Sequence, residues 1–104
     1  DTTAPPMPVP PDTDLTLRTA SAEGRLYRYE SKLSRQGLWV FYTQEMPRRG
    51  WKRDEGFDRA AMGRSPEQAV LSFKAGRTRC IIGLEDSGPF TTAVTVLIVG
   101  AETG

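Results

Sequence analysis

The chain has 104 residues, with 14 Lys+Arg against 13 Asp+Glu, so its length is that of one domain able to bury one core without staples, and its net charge of +1 gives no long-range pull toward nucleic acid or anionic lipid. The absence of histidine excludes Ser-His-Asp and Cys-His catalysis, histidine-ligated metals and an imidazole pH switch. Cys80 is the only cysteine, which excludes an internal disulfide, and the longest apolar run, Val94–Val99, has the length of a strand rather than of a membrane-crossing helix.

Asp1–Asp14, DTTAPPMPVPPDTD, holds five prolines and no apolar period. Such a stretch favours polyproline II and buries too little surface to offset its ordering entropy. We expect residues 1–14 to be a disordered tether, residues 15–100 one α+β domain, and residues 101–104 a disordered tail. Leu15–Ala20 alternates Leu15 and Leu17 with Thr16 and Arg18, which predicts a half-buried strand. Ser21–Gly24 is turn chemistry. Arg25–Glu30 alternates again, with Tyr27 and Tyr29 opposite Leu26, Arg28 and Glu30, so the two runs can pair as a hairpin.

Ser34–Trp51, SRQGLWVFYTQEMPRRGW, predicts an amphipathic helix capped by Ser34 and ended at Met46 by Pro47. At about 100° per residue, Leu38, Trp39, Phe41, Tyr42 and Met46 share one arc, and Gln36, Val40, Thr43 and Gln44 lie opposite. Arg48 and Arg49 follow where the helix dipole favours cations, and Gly50 suits a left-handed exit. Trp51–Asp54 opens a strand. Glu55–Glu67 is mixed, charged and punctuated by glycine; we read it as a long loop with one turn of helix around Phe57, Ala60, Ala61 and Met62.

Three strands complete the chain. Ala69, Leu71 and Phe73 share a face opposite Val70, Ser72 and Lys74. A tight turn at Ala75-Gly76 leads to Thr78, Cys80, Ile82 and Leu84 on one side, with Arg77, Arg79, Ile81 and Gly83 on the other. After a turn at Asp86–Pro89, Val94, Val96 and Ile98 point in, and Thr95, Leu97 and Val99 point out. Short turns between consecutive strands favour an antiparallel meander. The expected architecture is a two-layer α+β sandwich, one main helix on an antiparallel sheet of about five to six strands.

Glu45 falls inside the apolar arc of the helix and is the candidate for a perturbed carboxylate, unless its place in the last turn lets it reach water. Cys80 reads as a small core residue, because Arg79 points to the other face and is poorly placed to acidify the thiol. The glycines form no phosphate-binding unit. The cations Arg48, Arg49, Lys52, Arg53, Arg59 and Arg64, set against Asp54, Glu55 and Asp58, read as a solvated loop. On the sheet, Lys74, Arg77 and Arg79 with the apolar Val70, Ile81 and Leu97 mark a face that the single helix leaves uncovered, and these six are the candidate partner-binding residues. Tyr27 and Tyr29 are the only aromatics near such a basic pattern, which keeps single-stranded nucleic acid as a second reading.

Phe41-Tyr42, then Met46-Pro47, then Gly50-Trp51 resemble a motif FY-three residues-[LM]P-two residues-GW of small domains in bacterial secreted proteins and envelope lipoproteins. Leu71–Lys74 with Arg77, and Thr92–Val96, look like its later segments, so the resemblance spans roughly Gly24–Val99, with Glu55–Glu67 as a longer and more charged insertion. The resemblance implies an extracytoplasmic, non-enzymatic protein-binding or scaffolding domain with a protein partner in the cell envelope and a lipid anchor upstream of Asp1. It implies no catalytic residue, metal or cofactor. The alternative is a nucleic-acid or polyanion-binding module using the surface arginines.

Overall fold

The computed structural model describes residues 7–22, 24–54 and 68–100. Residues 1–6, the Glu55–Glu67 insertion with its expected turn of helix, and the tail 101–104 lie outside the described residues. The elements are β1 (Thr13–Ala20), β2 (Gly24–Ser31), α1 (Arg35–Arg48), β3 (Lys52–Arg53), β4 (Gln68–Ala75), β5 (Thr78–Gly88) and β6 (Thr91–Val99). The six strands form one antiparallel sheet, and the helix packs against it, giving an α+β fold.

Strand order is β1-β2-β6-β5-β4-β3, which corrects the expected simple meander. β3 to β6 do run as a meander. The β1–β2 hairpin, however, adds to the free edge of β6, so the chain from β2 to β3 must pass from one half of the sheet to the opposite edge. α1 is that crossover. Its Leu38, Tyr42 and Met46 are fully buried, Trp39 and Phe41 are half-buried, and Val40 is 43% exposed, which is the expected phase. Opposite them the inner sheet face supplies Leu71, Phe73, Cys80, Ile82, Leu84, Val94, Val96 and Ile98. Every one of these lies in the alternation expected of its strand.

Ser34 caps the helix, its Oγ accepting from the Gly37 amide at 3.0 Å. The helix does not stop at Met46 as expected but runs to Arg48, with Pro47 inside its last turn. Proline lacks one donor, yet its carbonyl still accepts from the Gly50 amide at 3.2 Å, and the Met46 carbonyl accepts from Arg49 at 3.0 Å and Trp51 at 3.2 Å. So close to the end, the missing bond is outweighed by these closures. Gly50, at φ 97°, makes the left-handed exit. It delivers Trp51, 1% exposed, to the core.

Four boundaries differ from expectation. β1 begins at Thr13, and a bulge between Leu15 and Leu17 changes its facing: Leu15 pairs with Tyr29 on the inner side, Leu17 with Arg28 on the outer. Both leucines are largely exposed, at 49% and 42%, so this edge strand is not half-buried. The proline-rich segment is also not free along its length. Met7 packs against the core with Sδ 3.8 Å from Cys80 Sγ, Pro8 and Pro10 are buried, and the Asp12 carbonyl accepts from the Lys32 amide at 3.0 Å. A thioether and two proline rings supply enough apolar surface to dock without any periodic pattern. The β4–β5 turn is Gly76-Arg77, not Ala75-Gly76, since Ala75 pairs with Thr78. Gly76, at φ 63° in the first central position, fits a II′ hairpin turn. Finally, β5 runs on to Gly88 through a bulge after Asp86, which places the β5–β6 turn at Pro89-Phe90.

The helix phase has a direct consequence. Leu38→Ala is expected to cost about 2–5 kcal/mol and Val40→Ala under about 1 kcal/mol in urea titrations. Equal losses would contradict the burial described.

Candidate functional site

The sheet register defines the outer face, the one turned away from α1. Four cross-strand rows cover it: Glu30, Ala93, Glu85; Arg28, Thr95, Gly83, Val70; Leu26, Leu97, Ile81, Ser72; and Gly24, Val99, Arg79, Lys74, Lys52. Val70, Ile81 and Leu97 lie on this face as expected and are half-buried, and Lys74 is exposed there. Leu26 was not among the expected residues. It extends the apolar row to Leu26–Leu97–Ile81, and only the pairing of β2 with β6, which no local pattern encodes, puts it there.

Arg77 does not belong to the face; it occupies the turn between β4 and β5. Arg79 does belong, but its Nη1 lies 2.8 Å from Asp54 Oδ2 and 3.4 Å from the hydroxyl of Ser72, which is completely buried. The arginine is tied down along the surface. Asp54 reaches it because the Asp54 amide donates to the Ser72 carbonyl at 2.7 Å, extending β3 by one residue along β4.

Other cations are similarly engaged. Arg35 pairs with Asp86 at 3.0 Å, Arg49 with Glu45 at 2.7 Å and Arg48 with the same carboxylate at 3.5 Å. Glu45 is thus held at the helix end by two arginines and is not aimed into the core. Arg53 lies on the inner side, its guanidinium 4.9 Å from the centroid of the Trp39 ring, a cation–π contact that covers the helix edge. Tyr27 and Tyr29 stack with centroids 6.4 Å apart and also pack on the inner side. The aromatic pair and the basic Lys74 and Arg79 are therefore on opposite faces, and no shared stacking platform forms among them.

A hollow of about 420 Å³ opens between the start of α1 and the β5–β6 hairpin, with Lys32, Ser34, Asp86, Phe90 and Thr91 on its walls. Its carboxylate, Asp86, is already paired with Arg35. Compared with known protein families, with curated proteins and with solved structures, the chain finds no match.

Cys80 is fully buried, and burial pushes its thiol up from 9.0 to about 12. A thiol held neutral in this way is a core side chain and a poor nucleophile at neutral pH. The Tyr42 hydroxyl is raised as well, first by burial and then by Tyr29 and Cys80, which would be anions at the same pH. Both groups hold their protons more tightly folded than unfolded. The Cys80 contribution to stability is therefore whole below about pH 9 and is lost as pH climbs from 9.0 to about 12, while that of Tyr42 is lost only from about pH 10 upward. Urea titrations at stepped alkaline pH should show this fall, and Cys80→Ala should make it shallower. An alkaline slope unchanged by Cys80→Ala would contradict the burial argument.

Proposed function

We propose that this chain is a non-enzymatic protein-binding or scaffolding domain of a bacterial cell-envelope protein, working through the outer face of its sheet. The observation that carries the reading is the apolar row Leu26–Leu97–Ile81, with Val70 beside it, set in a rigid sheet between charged ends. In this reading the domain is a two-layer sandwich. α1 and the docked N-terminal segment form one layer and the sheet the other, so one sheet face is committed to the core and one is left for a partner. The extracytoplasmic location, the envelope partner and a lipid anchor rest on the FY-x3-[LM]P-x2-GW resemblance.

The magnitudes are modest. Fully burying a leucine or isoleucine is worth about 1.5–3 kcal/mol. These side chains are already half-buried, so the row adds a few kcal/mol and leaves specificity to the charges around it. The polyanion reading fares worse. Arg35, Arg48, Arg49 and Arg79 are engaged in ion pairs and Arg53 on Trp39, so a phosphate would have to compete with contacts already made.

Photocrosslinking in the cells that make the protein tests the reading. A photoreactive side chain at Leu97 or Ile81 should give a discrete protein adduct, while the same group at the exposed helix position Val40 should give none. Ile81→Glu should remove the Leu97 adduct and leave the melting temperature close to that of the parent. If Ile81→Glu unfolds the chain, or adducts form equally from Val40, the outer face is not the binding surface.

A further inference from the structure

Two cross-strand pairs at the edges of the outer face place uncompensated like charges directly opposite each other; a third, Lys74 opposite Arg79, is offset by Asp54, which pairs with that arginine. Asp14 pairs with Glu30 where β1 meets β2, and Lys52 pairs with Lys74 where β3 meets β4. Directly opposed like charges destabilise a sheet, and neither pair carries an ion pair among the described residues. The two are opposite in sign. They also sit at diagonally opposite corners of the face, because β1 and β3 are its two edges and the pairs lie at opposite ends of their strands. Between them runs an uncharged centre formed by the apolar pair Leu97 and Ile81 with Thr95 and Gly83 beside it.

We propose that the partner of this face is a second copy of the same chain. The two sheets pack outer face to outer face about a two-fold axis, so that Asp14 and Glu30 of one copy meet Lys52 and Lys74 of the other. This inference rests on the protein-binding reading and names its partner. A two-fold makes the contact twice, which relieves the two uncompensated like-charge pairs of each copy together. A single surface that is both acid-cornered and base-cornered around an apolar middle is complementary to itself. Arg28, two residues along β2 from Glu30, softens the acidic corner, and Asp54 holds Arg79 beside the basic one. The basic corner therefore depends on the two lysines.

The middle of the face also fits. A side chain added at Gly83 would meet nothing within 4 Å, so this position is a dip next to Ile81 and Thr95. An apolar side chain of the second copy can enter it. The size is adequate for a modest association. Six strands at about 4.8 Å spacing and about 3.3 Å per residue give a face roughly 24 Å by 26 Å, so two copies bury on the order of 1,000 Å² in total, near the lower bound for a specific interface.

The experiment is sedimentation velocity with charge-reversed variants. The parent chain should shift from monomer to dimer as concentration rises at low salt, and added salt should weaken the shift, because the corners are exposed. The double variant Lys52→Glu, Lys74→Glu should be monomeric alone, and so should Asp14→Lys, Glu30→Lys. Each reversal keeps its edge pair like-charged within its own sheet, and Lys74→Glu exchanges a repulsion against Arg79 for an attraction, so the melting temperatures should not fall below the parent's. Mixing the two variants should restore a dimer, since each then offers the opposite sign at both corners. A parent that stays monomeric, or a mixture that does not associate, overturns self-pairing. If the Leu97 crosslink then joins a different protein, the binding reading stands without it. If the parent is monomeric and Ile81→Glu unfolds it, the face is covered within the chain and both readings fall.

Discussion

The pairing of β2 with β6 is the constraint from which the rest of this structure follows. It closes the sheet between the first hairpin and the final meander, and it leaves β3 at the opposite edge. The chain between β2 and β3 then has to travel across the sheet, and a helix of 14 residues, roughly 21 Å long at about 1.5 Å per residue, is a suitable strut for that distance. Crossing fixes which face becomes core. Leu38, Tyr42 and Met46 land on one side, and the outer residues are thereby turned away from α1. The left-handed exit at Gly50 finishes the crossing by turning Trp51 inward just before β3.

The crossover does not cover the whole inner face. α1 touches β3, β4 and β5, and further surface is taken by Met7, Tyr27, Tyr29 and Leu33. Docking of the N-terminal segment and stacking of the two tyrosines thus belong to the same solution. It has a cost. The Tyr42 hydroxyl and Trp51 Nε1 are buried with no hydrogen-bond partner among the described residues, and each such group costs about 1–3 kcal/mol. The ring area removed from water offsets this, because aromatic side chains of this size bury about 150–250 Å² each.

What was legible in the sequence is what local periodicity encodes. The buried faces of α1, β5 and β6, the Ser34 cap and the Gly50 exit were all readable, since each depends on residues a few positions apart. Strand order was not, because the partner of β2 lies more than sixty residues away and β-branched runs are interchangeable as neighbours. The same gap explains the site. Val70, Ile81 and Leu97 were found from alternation, while Leu26 and the edge pairs Asp14–Glu30 and Lys52–Lys74 appear only once strands are placed side by side. Arg77 was misplaced because the turn lies one residue later than expected, while the phase of β5 beyond it was read correctly. The docking of Met7 had no periodic signal at all.

The central claim is that one sheet face is core and the other is open to a partner. Methyl NMR with a soluble paramagnetic agent, on dilute protein at high salt to keep it monomeric, measures this directly. The account predicts strong broadening of the Val70, Ile81 and Leu97 methyls and little for Ile82, Leu84, Val94 and Val96. Equal protection of both sets would contradict it, because the outer face would then be buried inside the folded chain.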